Sequence, residues 1–196
     1  MLTTLPRRLR GLPTPMAGLA LGVASLGWCM ENALPLNGWG QLIGAFTASA
    51  LLLLLVLRFV LHAETLWEDL KHPVVGPTFA MSLMVISRAL LHAFPTFAAG
   101  LWCVGITLHL AALIAFIWFR LRDPVLEKMV PSWFIPPVGI IVADVAFPGV
   151  PAFLPFAQTL FVIGLVSYAI LLPTMLYRLF FLPQVANAAK PTLAIL

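Results

Sequence analysis

The sequence predicts an all-α polytopic membrane protein with six transmembrane helices, and three observations support that prediction. The first is composition, because 62% of the 196 residues are hydrophobic and only 9% are charged, whereas a soluble domain carries about 25% charged residues. The second is a set of six apolar segments joined by short linkers. The third is the placement of basic residues on alternate linkers. Helices are favoured over barrel strands because the apolar runs do not alternate with polar residues.

The six apolar segments define the predicted helices. They are Met16–Leu34, Trp39–Leu61, Val74–Leu91, Phe97–Phe119, Phe134–Phe147 and Phe153–Leu182. Most are close to the length of about 20 residues that crosses a bilayer. The linkers at 34–38 and 147–151 contain Pro and Gly, which are typical of turns. The fifth segment is the shortest and has prolines at both ends, so we expect it to be broken rather than straight.

Prolines recur at the entrances to the odd-numbered segments. The pattern runs through Pro13, Pro73, Pro136 and Pro191, in steps of about sixty residues, which is the length of one helical hairpin that spans a bilayer twice. The sequence therefore predicts three hairpins in a single transmembrane domain over residues 1–196.

The odd-numbered helices are rich in small residues, whereas the even-numbered helices are rich in bulky aliphatic ones. Small residues allow helices to approach closely, and Gly18 and Gly22 have the spacing of a close-packing pair. We therefore expect odd helices inside and even helices outside. The alternative is an ordinary bundle that small residues merely tighten. In the layered arrangement, residues of the odd helices point to a common axis while leucines of the even helices face lipid. The test positions are Gly22, Ser82 and Gly139 for the axis, and Leu52 and Leu171 for the lipid face.

Basic residues predict the orientation. Of the eleven Lys and Arg residues, Arg88 alone lies on the side opposite to the other ten. Because basic linkers stay in the cytoplasm, the sequence predicts a cytoplasmic N-terminus and C-terminus. The N-terminal arginines also resemble a signal peptide, but five further spans follow, so we interpret the first span as retained. The ten are Arg7, Arg8, Arg10, Arg58, Lys71, Arg120, Arg122, Lys128, Arg178 and Lys190.

Motifs for enzymes, metals and cofactors are missing from the sequence, so we predict no catalysis and no cofactor. Cys29 and Cys103 both lie in apolar segments and are expected to be packed thiols. The net charge of +4 comes from the linkers and does not indicate nucleic-acid binding. One linker carries ligand-type residues, which we interpret as a solvated charged loop rather than a metal site. They are His62, Glu64, Glu68, Asp69 and His72.

Four segments resemble the tellurite-resistance/dicarboxylate transporter family, which includes bacterial tellurite-resistance proteins, yeast malate and sulfite carriers, and the plant slow anion channels. The resemblance extends over essentially the whole chain and depends on the order and spacing of these segments. They are Pro13-x-x-Met16-x-Gly18-Leu19-Ala20-Leu21-Gly22 with Trp28 and Glu31-Asn32, then His72-Pro73-Val74, then Pro131-Ser132-Trp133-Phe134-Ile135-Pro136-Pro137-Val138, and finally Leu176-Tyr177-Arg178-Leu179.

The resemblance implies ten helices that form five hairpins around a pore, usually in a homotrimer. In this family the odd helices line the pore and a phenylalanine of the ninth helix plugs it. Lys190-Pro191 resembles the opening of helix seven. We therefore expect the chain to be an incomplete version of the ten-helix pore, truncated or part of a longer sequence. Three hairpins cannot close a five-hairpin ring, so we expect the 196 residues alone to show no selective flux.

Polar groups inside the spans are the candidate site residues, because charge is costly at the bilayer centre. Arg88 could attract anions at the outer mouth, or could be a surface arginine. Asp144 could bind a proton or repel anions, or could sit in water at a helix end. His109 is interpreted as a packing histidine rather than a proton relay. The pore-lining candidates are Gly22, Ser25, Ser82, Ser87, Gly139 and Ala143.

Taken together with the resemblance, these features predict transport of small anions by a channel or secondary transporter. The candidates are dicarboxylates, sulfite, chloride and tellurite-related oxyanions. The alternative is a non-transporting membrane scaffold, or a fragment without activity of its own. The expected location is the bacterial inner membrane, with lipid and other copies of the chain as partners and no nucleic acid.

Overall fold

The computed structural model describes residues 9–70 and 74–195, and the secondary structure within these ranges is entirely helical. The predicted all-α class is therefore confirmed. The α-helices are α1 (Met16–Ala33), α2 (Trp39–Leu61), α3 (Ala63–Leu70), α4 (Val75–Leu90), α5 (Pro95–Arg122), α6 (Ile135–Val138), α7 (Val142–Val145) and α8 (Leu154–Phe181). Short 3₁₀ segments cover Leu126–Lys128, Pro131–Phe134, Gly139–Ile141, Pro151–Phe153 and Asn187–Ile195. We call Pro131–Val145, which contains α6 and α7, the broken span.

Three helical stretches in the described ranges are long and apolar enough to cross a membrane: Trp39–Leu61, Pro95–Arg120 and Pro151–Phe181. These correspond to the even-numbered predicted spans. α4 has only 16 residues and reaches about 24 Å, short of a hydrocarbon core about 30 Å thick. α1 has 18 residues but ends in a polar turn that contains Glu31 and Asn32. The six apolar helical segments therefore exist, while the count of six crossings stays a prediction.

Each of the three long helices packs against the odd-numbered segment before it through a glycine. A Cβ atom built on Gly44 of α2 would lie 3.0 Å from the Cα atom of Gly27 in α1. One built on Gly105 of α5 would lie 2.8 Å from Met84 of α4, and one built on Gly164 of α8 would lie 2.4 Å from Ile141 of the broken span. These contacts recur about every sixty residues, so they have the period of the proline entrances.

The predicted close-packing pair on α1 is wrong. A Cβ atom built on Gly18 or Gly22 meets no described atom within 4 Å. The close approach is made instead by Gly27, where a built Cβ atom would lie 2.5 Å from the carbonyl oxygen of Gly40. Gly27 lies on the buried side of α1 with Ala20 and Ala24, and Gly22 is exposed. Spacing alone did not reveal which side of the helix meets a neighbour.

Burial separates the helices, but not simply into odd and even ones. α4 is the most enclosed, because ten of its 16 residues are buried. α1 has four buried residues among 18, whereas α2 has seven among 23. Leu52, which was expected to face lipid, is only 4% exposed because it packs in the core formed by α1, α2 and α4. That assignment was wrong, and the layered arrangement stays a prediction.

The surface of α2, α5 and α8 suits a hydrocarbon environment. Large apolar side chains such as Val60 and Phe180 are more than 70% exposed. Five hydroxyl groups on this surface donate to the backbone carbonyl four residues earlier in the same helix, so these five leave no unpaired polar hydrogen for the lipid to accommodate. These groups are Thr47, Thr107, Thr159, Ser167 and Thr174.

An arginine near the C-terminal end of each long helix contacts a segment outside that helix. Arg58 of α2 forms a buried ion pair with Asp69 of α3, with Nη1 and Oδ2 3.0 Å apart. The guanidinium of Arg120 in α5 lies over the ring of Trp133, 4.3 Å from its centroid. Arg178 of α8 is 3% exposed and donates from Nη2 to the backbone carbonyl of Glu127 at 3.1 Å. The packing glycines and these arginines therefore recur with the same period. Each arginine lies 14 or 15 residues after the packing glycine of its own long helix.

Candidate functional site

The broken span changes its helical type three times within fifteen residues, which confirms the expectation that the fifth segment is not one straight helix. It runs from 3₁₀ helix to α6, to 3₁₀ helix over Gly139–Ile141, and then to α7. Pro136 and Pro137 carry no backbone N–H group, so the regular i to i−4 ladder cannot continue through them. The left-handed Gly149 (φ 75°) then redirects the chain after Pro148.

Gly139 lies at the point where three segments of the chain meet. A Cβ atom built there would lie 2.6 Å from Sδ of Met81 in α4 and 3.3 Å from Cε1 of His109 in α5. A methyl group at this position would therefore have to displace the end of the Met81 side chain. This places Gly139, a predicted pore-lining residue, in a packed helix junction and leaves it half-buried.

Two side chains of α5 donate hydrogen bonds to backbone carbonyls of the broken span. Nε2 of His109 lies 2.8 Å from the carbonyl oxygen of Pro136. Nε1 of Trp102 donates to the carbonyl oxygen of Ala143, also at 2.8 Å. A carbonyl only accepts hydrogen bonds, so the proton of His109 belongs on Nε2. The prediction of His109 as a packing histidine is confirmed, whereas the sequence had not singled out Trp102. Ala143 is buried beneath Trp102 instead of lying open.

The two charged candidates lie at the same end of the broken span without forming an ion pair. Arg88 is half-buried, and its Nη1 atom donates a long hydrogen bond of 3.4 Å to the carbonyl oxygen of Phe147. Asp144 is also half-buried and lies in the turn that Phe147 closes, since the Phe147 amide donates to the Asp144 carbonyl. Within 9–70 and 74–195, the structure places no carboxylate within 4.0 Å of Arg88.

Arg88 borders a shallow surface depression between α1, α2 and α4, which in this conformation is too narrow to enclose a water molecule. The other residues around it are small, aromatic or amide side chains, without a second charge. They are Ala24, Trp28, Gln41, Ala45, Val85 and Ala89. A guanidinium in such a setting keeps donors free for an anion, since a single weak contact uses only part of its hydrogen-bonding capacity.

The hydroxyl candidates divide into buried and exposed ones. Ser82 is fully buried, and its hydroxyl donates to the Thr78 carbonyl at 2.8 Å. Ser87 is 1% exposed and donates to the Met84 carbonyl at 2.6 Å. The Ser87 proton is therefore committed to the backbone of α4, and the Ser82 proton to the backbone of α4 or to the Ala17 carbonyl of α1, which lies 3.2 Å from the Ser82 hydroxyl. Ser25 and Gly22 lie instead on the exposed side of α1, together with Gly18 and Cys29 in the i, i+4, i+7 and i+11 pattern of one helix face.

The ligand-type side chains of the linker that the structure describes, those of His62, Glu64 and Asp69, do not assemble around a common point. In the described part of the chain, no group of three His, Cys, Asp or Glu side chains could hold a metal ion. Asp69 is occupied by Arg58, while Nδ1 of His62 lies 3.6 Å from Glu64. His72 lies outside the described residues. Cys29 and Cys103 are both free thiols, the first exposed and the second half-buried.

The candidate site thus combines a broken helix, a partly free arginine and an exposed small-residue face. Comparison with known proteins shows which proteins this chain is similar to. Two uncharacterized transporters of Methanocaldococcus jannaschii are similar to this chain. One is 36% identical over 98 residues, which cover 46% of this chain and 28% of the relative. The other is 33% identical over 102 residues, which cover 48% and 30% respectively. The matched region thus spans less than a third of each relative.

The family comparison extends over nearly the whole chain. Residues 14–196 match the voltage-dependent anion channel family, which is the transporter family that the sequence segments resemble. It is a family of channels and transporters rather than enzymes, and its membrane setting agrees with the three long apolar helices. On this match the chain belongs to the voltage-dependent anion channel family.

Proposed function

We propose that this protein moves small anions across a membrane along a route formed by α1, α4 and the broken span. The observation that carries the proposal is Arg88. Its guanidinium is half-buried, has one long hydrogen bond of 3.4 Å, and has no carboxylate within ion-pair distance in the described ranges. A positive charge that no acid neutralises raises the local concentration of anions.

The exposed face of α1 supplies the second part of the proposed route. Gly22 leaves open space beside the backbone, and Ser25 is exposed and could donate a hydrogen bond to an anion. The broken span contributes the irregular backbone that lines cavities in transport proteins. Weak contacts at several points would let an anion leave as readily as it enters.

Asp144 has two proposed roles that lead to different results. As a fixed negative charge beside the route, it would slow the entry of anions. As a proton-binding group, it would couple anion movement to pH. We propose dicarboxylate, sulfite, chloride and tellurite-related oxyanions as the substrates to compare, and membership of an anion channel family supports a small anion as the substrate.

The direct test is anion flux into liposomes that contain the purified full-length product of the gene. Arg88→Ala should reduce initial flux about threefold to tenfold at 10 mM salt, where the Debye length is about 30 Å, and much less at 150 mM salt, where it is about 8 Å. Arg88→Lys should keep most of the flux. Arg122→Ala is the matched control, since Arg122 is an exposed arginine that stacks on Trp118.

Replacing Asp144 separates its two roles. Asp144→Asn should raise flux at every pH if the carboxylate repels anions, and should abolish the pH dependence of flux if it binds a coupling proton. A wild-type protein without flux of any of these anions would support the non-transporting scaffold instead. Flux that is equal in the wild type and in Arg88→Ala at low salt would refute the role of Arg88.

We also propose a bacterial inner-membrane location with a cytoplasmic N-terminus and a homotrimeric assembly. Ten of the eleven Lys and Arg residues lie on one predicted side of the membrane and Arg88 alone lies on the other, which supports the proposed orientation. Single cysteines introduced at 35–38 and 148–152, in a protein without Cys29 and Cys103, should react with a membrane-impermeant thiol reagent from the periplasm. If these cysteines reacted only from the cytoplasm, the protein would have the opposite orientation to the one proposed.

A further inference from the structure

We propose that Trp102 and His109 form a two-point clamp that fixes the broken span and thereby positions both charges of the anion route. The clamp consists of the hydrogen bonds from Trp102 to the Ala143 carbonyl and from His109 to the Pro136 carbonyl. The assignment of a transport role to this clamp depends on the proposed function, whereas the clamp itself can be tested without transport.

The geometry of the two contacts is matched. Trp102 and His109 are seven residues apart on α5, which is about two helical turns, so both lie on one face of the helix. Their acceptors, Pro136 and Ala143, are also seven residues apart. The earlier donor meets the later acceptor, so α5 and the broken span run antiparallel. Both donors are enclosed, with exposures of 1% and 0%.

The segment between the two acceptors cannot hold this conformation through its own backbone. α6 and α7 have only four residues each, and a helix of one turn is marginal in isolation because its nucleation is unfavourable. The prolines of α6 remove backbone donors, and the intervening Gly139–Ile141 is a 3₁₀ segment with poorer hydrogen-bond geometry. The prolines thus set where the break lies, and the two side-chain donors of α5 hold the broken segment in its observed position.

The clamp reaches both charges of the proposed route. Asp144 directly follows Ala143, the acceptor of the Trp102 hydrogen bond. The Trp102 ring also contacts the ring of Phe147 at a centroid distance of 6.1 Å, and the Phe147 carbonyl is the acceptor for Arg88. Release of this end of the broken span would therefore move Asp144 and remove the contact that orients Arg88.

Three variants separate donation from packing. Trp102→Phe removes the indole N–H group and keeps an aromatic ring. His109→Leu removes the donor, whereas His109→Gln places an amide N–H group near the original Nε2 position. Trp118→Phe is the matched control, because Trp118 lies on the same helix and is 57% exposed.

The first measurement is amide hydrogen exchange across residues 135–147 in detergent or nanodiscs. A buried hydrogen bond that is lost should accelerate exchange of this segment about fivefold or more in Trp102→Phe and His109→Leu. Exchange in His109→Gln and Trp118→Phe should stay close to wild type. The second measurement is the ratio of chloride flux to malate flux in liposomes, which should change about threefold or more only in the first two variants.

The outcomes are distinct. Wild-type exchange in both Trp102→Phe and His109→Leu would overturn the clamp. Faster exchange with an unchanged flux ratio would overturn its positioning role and leave a packing contact. Failure of His109→Gln to restore either quantity would show that donation is not what His109 supplies. A wild-type protein without any flux would overturn the proposed function, while the exchange result would still decide whether the clamp exists.

Discussion

The contact between α1 and α2 predicts that Gly27→Ala destabilises the protein. The new Cβ atom would lie 2.5 Å from the carbonyl oxygen of Gly40 and 2.9 Å from the Cα atom of Gly44, whereas ordinary contact begins at 3.4 Å. Both obstructing atoms belong to the backbone, so no side chain can rotate away and the helices must separate by several tenths of an ångström or more. Overpacking of this kind costs about 1–3 kcal/mol. The gain in helix propensity, about 1 kcal/mol, offsets part of that cost.

The matched control is Gly22→Ala, on the same helix. Its new Cβ atom meets no described atom within 4 Å, so only the propensity gain of up to about 1 kcal/mol applies. Thermal unfolding in detergent, followed by circular dichroism, should therefore place Gly27→Ala a few degrees below wild type and Gly22→Ala at or above it. A Gly27→Ala protein as stable as Gly22→Ala would refute the close approach of the two helices.

Three further predictions concern polar contacts and the packed junction. Glu31→Ala should lower the unfolding free energy by about 2 kcal/mol, because the carboxylate accepts a 2.6 Å hydrogen bond from the Gly38 amide at the start of α2. Glu31→Gln should keep part of this stabilisation, and equal stability of the wild type and both variants would contradict the role of the hydrogen bond. Asp69→Asn should cost about 3 kcal/mol by leaving Arg58 buried without its counter-charge, and Arg58→Met combined with Asp69→Leu should recover most of that loss in the same unfolding assay. Gly139→Ala should displace the Met81 side chain, whose Sδ atom would lie 2.6 Å from the new Cβ atom, and so loosen the junction, seen as modestly faster amide exchange in 135–147; unchanged exchange would argue against it.

The helical segments were predictable because long apolar runs identify membrane helices and turn residues mark where they end. The predicted span Trp39–Leu61 coincides with α2, and the prolines around 136 predicted the break. Which helix face is buried was not predictable in the same way, because it depends on residues far apart in the chain. Gly18 and Gly22 have the spacing of a packing pair, yet Gly27 makes the contact.

One signal in the sequence could have predicted part of the packing. Glycine and arginine recur with the proline period, and Gly44, Gly105 and Gly164 mark the close contacts while the arginines mark the helix ends. The partners of Trp102 and His109 could not have been predicted from one sequence, because their acceptors are backbone carbonyls and every residue has one. The orienting contact of Arg88 was hidden for the same reason.

The equal spacing of donors and acceptors in the clamp has a mechanical consequence. Because the two donors and the two acceptors have the same spacing, a slide of the broken span along α5 displaces both acceptors together and lengthens both hydrogen bonds. The two hydrogen bonds are therefore expected to weaken and to form together. We therefore expect that a substitution that releases one end of the broken span also speeds amide exchange at the other end of 135–147.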